Sequence, residues 1–260
     1  MEFETITYDV RDRVGLLHFN RPDGANAVNP TFARELRAAM LEIAYDDDVR
    51  AVAVTAEGKV FCGGGDLKLF HAWGDQMARH AHDMLVDFHA AIHMMNHTPK
   101  PFVAGVRGAA GGAGMSLMSA FDLVVSGESA KYTMAYTRAG VTPDGTSSYF
   151  VARHIGLSRM LDLTLTNRVL TAAEAESWGL VNRVVPDDDV DQAAIDMADG
   201  FAAGATSALG EAKRVIYNGI DATLKTAGEF EAKMITKAMA SADGLEGVAA
   251  FVEKRAPEFE

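Results

Sequence analysis

The sequence has a single cysteine, Cys62, in 260 residues. No intramolecular disulfide can form, so cysteine usage gives no sign of an oxidising compartment. Basic side chains are outnumbered, with 24 Lys and Arg against 36 Asp and Glu and a net charge of −12. No basic stripe appears along the chain, which excludes a surface built to follow a phosphate backbone. Long apolar runs are also missing. The longest uncharged stretch, Gly108 to Phe121, is 14 residues rich in Gly and Ala, short of the roughly 20 residues that a membrane-spanning helix requires. The start, Met-Glu-Phe-Glu, carries neither the basic nor the apolar region of a secretion signal. A cytoplasmic protein with no nucleic-acid and no membrane partner is therefore expected.

The composition that remains, 48% hydrophobic and 23% charged with 24 Gly, is that of a folded α/β protein. A chain of this length buries roughly 70–75% of its unfolded surface, so its core needs no disulfide or structural metal. Residues 3–10 and 14–19 alternate with the period of a strand and read as a hairpin. Asn29-Pro30 is a helix start, with Asn as cap and Pro in the first turn, before the periodic segment 31–44. Two segments are then built alike, each an apolar strand, a glycine-rich loop and a helix. The first runs from strand 51–55 through Gly63-Gly64-Gly65 to a helix opening at Asp66. The second runs from strand 102–106 through a loop at 108–112 to a helix from about Ala113. Residues 75–97 hold neither Gly nor Pro and suit one long helix. Further strands are expected at 122–126 and 181–185. Thr171-x-x-Glu174 and Asp243-x-x-Glu246 both fit a capping box, and 188–254 reads as almost wholly helical.

A glycine loop feeding a helix leaves backbone N–H groups unpaired and ready for an anion or oxyanion. The nucleotide motifs do not fit: Lys68 stands where Gly-x-Gly-x-x-Gly needs its last glycine, and Val60 follows Gly58-Lys59 where a P-loop needs Ser or Thr. Ser116 lacks the second glycine of a nucleophile elbow. Six of the eight histidines fall between His71 and His97, and His89, His93 and His97 recur every four residues. No regular set of Cys or carboxylate ligands completes a metal site there, and none is expected.

Three segments, NRPDGANAV at 20–28, GKVFCGGGDL at 58–67 and KPFVAGVRG at 100–108, resemble in order and spacing the signatures of the crotonase (enoyl-CoA hydratase/isomerase) superfamily. LTNR at 165–168, AESWGLV at 175–181 and FVEKRAPEF at 251–259 continue the resemblance over nearly the whole chain. It implies a crotonase-like spiral of β-β-α turns over 1–195, a C-terminal helical region at 196–260 that closes a homotrimer or dimer of trimers, and an acyl-CoA thioester as substrate. Coenzyme A then enters as part of the substrate, with no tightly bound cofactor.

In the family two backbone N–H groups hold the thioester oxygen, and the matching positions are Gly65 and Ala113, the latter in place of the usual glycine. Hydratases of the family use two glutamates, whose positions here carry Ser116 and Tyr136. Neither can act as a carboxylate, so hydration by that route is not expected. The segment AGVTPDGTSSY at 139–149 resembles the enoyl-CoA isomerases of phenylacetate degradation, which implies Asp144 as the acid/base of a double-bond isomerisation. Dienoyl-CoA isomerases and dihydroxynaphthoyl-CoA synthases place an aspartate there too. Asp144 and His89 also match 4-chlorobenzoyl-CoA dehalogenase, where the aspartate attacks the ring; Tyr136 and Gly65 depart from that pattern. A third reading, a catalytically silent acyl-CoA-binding scaffold, follows from the loss of both glutamates. Helix capping is the alternative role for Asp144. The coenzyme A moiety is expected along Arg21, Asp23, Ala25, Ala27, Gly63, Asp66, Leu67 and Lys68, with Lys254 or Arg255 supplied by a neighbouring subunit. Met115, Met118 and Met134 suit either an acyl pocket or the core.

Overall fold

The computed structural model describes residues 2–259. Strands β1 (Ile6–Arg11) and β2 (Val14–Phe19) pair antiparallel from Ile6↔Phe19 to Arg11↔Val14. Asp12 and Arg13 turn the hairpin with φ of 49° and 68°, the positive values that a two-residue hairpin turn requires. Helix α1 (Pro30–Tyr45) starts where Asn29 accepts a hydrogen bond from the Phe32 N–H at 2.8 Å. Its apolar stripe, including Phe32, Leu36, Met40 and Ile43, is buried.

The chain then builds a parallel sheet. Strands β3 (Ala51–Ala56), β4 (Phe102–Val106), β6 (Leu123–Gly127) and β9 (Arg183–Val185) extend the hairpin in the order β1-β2-β3-β4-β6-β9. All joins after the hairpin are parallel. β3 and β4 are buried along their whole length, as strands covered on both faces must be. Helices α1 and α3 (Met77–His97) pack together, and their buried side chains share the main core with those of the sheet. Across the sheet, α8 (Val190–Ala202) lays Ala194, Ala198 and Ala202 on Val14, Ala51, Ala53 and Val103. The expected boundary at 195 falls inside this helix, and the sheet's covering layer runs on to Ala202.

A second, small sheet was not foreseen. It joins β5 (Ala109–Gly111), β7 (Lys131–Thr133) and β8 (Leu170–Thr171). β5 lies where a plain loop was expected, because Ala-Ala-Gly shows no alternation of polar and apolar side chains. Between these strands run α2 (Leu67–Ala72), α4 (Ala113–Ser119), α5 (Ser147–Ile155), α6 (Leu157–Thr166) and α7 (Ala172–Ser177). Thr171 and Glu174 form the expected capping box on α7.

The C-terminal layer consists of α9 (Thr206–Asp221), α10 (Leu224–Met239) and α11 (Ala242–Glu253). Here the second expected box is corrected. Ser241, not Asp243, caps α11, accepting from the Gly244 N–H at 3.0 Å. A buried ion pair ties the layer to the core: Lys213 of α9 meets Asp122 at 2.8 Å and donates to the carbonyls of Met95 and Lys100. Such a pair adds little net stability, but losing one partner strands the other charge in the core. Among the described residues, no helix is long and apolar enough to cross a membrane.

Candidate active site

The two glycine loops meet. Parallel bridges join Val28 to Gly65 and Cys62 to Ala110. Gly64, at φ 107°, is so close to the second loop that a Cβ there would lie 2.9 Å from the Gly111 carbonyl and 3.6 Å from the Ala113 nitrogen. Glycine is therefore required at 64 by both conformation and space. The N–H groups of Gly65 and Ala113 have no acceptor among the described residues. Ala113 is the first residue of α4, and the positive φ, 50°, falls on Gly112 before it. Alanine in place of the family's usual glycine is thus free of backbone strain, and its N–H is retained. Two unpaired donors on adjoining loops suit an oxygen that gains negative charge during a reaction.

Asp144 stands near the same helix. Its Oδ1 accepts a hydrogen bond from the Tyr136 hydroxyl at 2.5 Å, and that hydroxyl lies 2.8 Å from Ser116 Oγ. Ser116 is one helical turn beyond Ala113 and fully buried. With the phenol proton given to Asp144, Ser116 becomes the donor to Tyr136, so a buried hydroxyl relay holds one carboxylate oxygen. Oδ2 has no protein donor among the described residues. Burial raises the Asp144 carboxyl above its ordinary value, with Tyr136 and His89 pulling it partly back. Burial, with Asp144 beside it, pushes the Tyr136 phenol far upward and keeps it a donor. The Asp144 side chain does not cap α5; only its backbone carbonyl accepts from Ser147.

His89 of α3 faces the same turn. Its Nε2 accepts from the Gly145 N–H at 3.2 Å, so the neutral ring carries its proton on Nδ1. Burial lowers this imidazole below its ordinary value, while Asp144 pulls the other way. His89 consequently acts as a brace for the 144–145 turn.

The residues expected to receive coenzyme A mostly form one edge. The Gly63 N–H donates to the Ala25 carbonyl at 2.9 Å and the Val28 N–H to that of Gly64 at 2.7 Å. Arg21 is an ion-pair partner of Asp66 at 2.6 Å and donates to the Ala27 carbonyl. Burial works against ionised Asp66, but Arg21 and the Leu69 and Lys68 amides outweigh it and hold its carboxyl low. Asp66 also caps α2. Arg21 is thus committed to shaping the edge, while Asp23, Leu67 and Lys68 remain exposed along it. Lys254 lies elsewhere, exposed at the cap of α11, and has no hydrogen bond or ion pair to this edge among the described residues. Arg255 is engaged by Glu246 and Glu253.

Sequence reading missed two contributors. Asn26 is fully buried, accepts from the Arg21 N–H and donates to the carbonyls of Glu57 and Val60, tying the 20–28 segment to the chain that leads into the first glycine loop. Its signal was a buried polar residue inside the 20–28 motif. Phe70 lies so near Gly65 that a Cβ there would sit 2.6 Å from its ring; no local pattern announced that contact. Met115, Met118 and Met134 are buried in the main core. Among the described residues, no cluster of three or more His, Cys, Asp or Glu could hold a metal ion.

A spiral core with paired amide donors and a nearby carboxylate defines an enzyme class that works on activated acyl groups. The family model of enoyl-CoA hydratase/isomerase matches residues 9–260, and the chain belongs to that family. It is 34% identical over 261 residues to "Probable enoyl-CoA hydratase echA8" of Mycobacterium tuberculosis, covering 100% of this chain and 99% of that protein. It is 32% identical to 1,2-epoxyphenylacetyl-CoA isomerase of Escherichia coli, covering 100% and 98%. It is also 32% identical to 4-chlorobenzoyl coenzyme A dehalogenase-2 of an Arthrobacter species, covering 96% and 91%. The crystal structure of an enoyl-CoA hydratase from Polaromonas superposes with a TM-score of 0.94 at 30% identity, covering 98% and 99% of the two chains. The protein is therefore an acyl-CoA enzyme of the enoyl-CoA hydratase/isomerase family.

Proposed function

We propose that the enzyme moves a carbon–carbon double bond in an enoyl-CoA, with Asp144 as its acid/base. The carrying observation is the state of Asp144, which has one oxygen held by Tyr136 and the other without a protein donor. In this reaction the thioester oxygen of a 3-enoyl-CoA lies between the Gly65 and Ala113 N–H groups. Asp144 Oδ2 takes a proton from the carbon next to the carbonyl, and the negative charge spreads onto the thioester oxygen. The same carboxyl then delivers a proton two carbons along, giving the conjugated 2-enoyl-CoA. One base is enough, because no water is added or lost. The reaction needs no second group, and coenzyme A enters as part of the substrate.

Several relatives carry hydratase names, but positions 116 and 136 here hold hydroxyls instead of carboxylates. Dehalogenation would require His89 to activate water, and its Nε2 is already accepting the Gly145 N–H. The organised carboxylate argues against a silent scaffold. The test is a pair of substrates supplied to one enzyme preparation. Conjugation of a 3-enoyl-CoA, with hydration of a 2-enoyl-CoA slower by orders of magnitude, supports the reading; the reverse ranking overturns it.

The working unit is proposed to be a homotrimer or a dimer of trimers. Leu157, Leu161 and Leu165 recur every four residues along α6 and are exposed, and Leu224 and Phe251 in the C-terminal layer are 92% and 86% exposed. An apolar surface of this extent calls for a partner, and a neighbouring copy would also bring Lys254 to the coenzyme A edge. Sedimentation equilibrium at the mass of a monomer would overturn this.

A further inference from the structure

Ser116 has a single hydroxyl proton and two acceptors within reach, the Tyr136 hydroxyl oxygen at 2.8 Å and the Gly112 carbonyl oxygen at 3.2 Å. The side chain is fully buried, and its surroundings are tight. At Gly114 a Cβ would lie 2.1 Å from the Cys62 carbonyl oxygen, and at Gly145, with φ 57°, a Cβ would lie 2.8 Å from Ser116 Cβ. The turn that carries Asp144 is thus pressed directly against Ser116.

The Gly112 carbonyl and the Ala113 N–H belong to one peptide group, whose resonance joins its two ends. A donor on that carbonyl draws electron density from the nitrogen and makes the N–H a stronger donor in turn. The Ser116 N–H already donates there at 3.0 Å, and a carbonyl oxygen has a second lone pair for the Ser116 hydroxyl. One side chain therefore touches both halves of the site: the phenol that holds the carboxylate and the peptide that faces the thioester oxygen.

Which acceptor wins depends on the charge of Asp144. While ionised, Asp144 draws the Tyr136 proton, which makes the phenol oxygen a strong acceptor for Ser116. A neutral Asp144 draws that proton less, and the phenol oxygen loses its advantage over the Gly112 carbonyl.

We propose that Ser116 is a positioning residue that couples the two halves, turning its hydroxyl from Tyr136 to the Gly112 carbonyl as Asp144 becomes neutral. The Ala113 donor is then strengthened in the same step that puts negative charge on the thioester oxygen. The proposal rests on the reading of Asp144 as the acid/base and of Gly65 and Ala113 as the oxyanion donors. In that step the bond from the carbon next to the carbonyl to its hydrogen breaks. The proton goes to Asp144 Oδ2 and the electron pair to the thioester oxygen; the Ser116 and Tyr136 hydroxyls turn and keep their own protons. Support confined to the charged state favours the enolate over the bound substrate.

Acetoacetyl-CoA tests this without turnover, because its methylene lies between two carbonyls and gives an enolate with its own ultraviolet band. The ratio of bound enolate to bound keto form is read in the parent, Ser116→Ala, Ala113→Pro and the double variant. Ser116→Ala should lower the ratio about threefold, the size of a cooperative gain on one oxyanion donor, and only where the Ala113 N–H is present. A Ser116 that served Asp144 alone predicts the opposite sign. Its removal would weaken the hold of Tyr136 on the ionised carboxylate, make Asp144 a stronger base and raise the ratio. An unchanged or raised ratio in Ser116→Ala, or an equal fall in the Ala113→Pro background, overturns the proposal while leaving the isomerase reading in place. Acetoacetyl-CoA that binds the parent with no enolate band overturns the acid/base reading of Asp144 and this proposal with it.

Discussion

The oxyanion loops and the acid/base cluster are separated by one turn of α4, yet they respond to sequence in opposite ways. Between Gly65 and Ala113 the working groups are backbone N–H donors, and a change of side chain at 113 leaves them in place because the positive φ falls on Gly112. Around Asp144 the working groups are side chains, and each depends on the next: Ser116 on Tyr136, Tyr136 on Asp144, and the turn itself on His89. A backbone device persists while side chains drift; the side-chain cluster sets which reaction follows. That division explains how one scaffold can carry several acyl-CoA reactions.

Substitutions sharpen the contrast. Asp144→Asn should cost the most, lowering kcat for 3-enoyl-CoA conjugation by about a thousandfold, as expected for a lost acid/base. The same variant should melt at a higher temperature near neutral pH. Burial raises the Asp144 carboxyl above its unfolded value, so its ionised form opposes folding at any pH above that unfolded value, and asparagine removes the penalty. Calorimetry at two pH values checks this, since the gain should shrink as pH falls towards the unfolded carboxyl value.

Ala113→Pro is the matching test of the other region. Proline is tolerated at a first helical position but has no N–H, so kcat should fall about a hundredfold through loss of one oxyanion donor. Ala113→Ser, which keeps the N–H, should stay close to the parent. A large loss in both would show that side-chain bulk, not the donor, matters at 113.

Tyr136→Phe should lower kcat about tenfold through loss of one hydrogen bond to a charged group. It should also move the acidic limb of the kcat profile to higher pH, because the Tyr136 hydrogen bond lowers the carboxyl of Asp144. A limb that stays in place would mean that Tyr136 does not act on the reacting group. His89→Gln should have the smallest effect, within about threefold at neutral pH, since an amide oxygen can accept the Gly145 N–H in place of Nε2. A loss comparable to that of Asp144→Asn would restore His89 as a reacting group.

The hairpin, the cap at Asn29, the two strand–loop–helix repeats and the long helix over 77–97 were legible in the sequence, because period and capping chemistry are local. So were the loops that hold Gly65 and Ala113. The small sheet of β5, β7 and β8 was not, since strands of two or three residues carry no period. The Ser116–Tyr136–Asp144 relay was readable only as an absence of glutamates; its hydrogen bonds join residues 20 and 8 apart in sequence, and tertiary packing alone brings them together. The pairing of Arg21 with Asp66, which caps a helix 45 residues on, left no local sign either.

The central claim is that one carboxylate both removes the proton and delivers the one that is returned. Incubating a 3-enoyl-CoA with the purified enzyme in D₂O, and following conjugation and deuterium by mass spectrometry, tests this most directly. The account predicts conjugated 2-enoyl-CoA with deuterium gained by exchange at Asp144, and loss of both conversion and label in Asp144→Asn. Conversion and labelling that persist undiminished in that variant would contradict it.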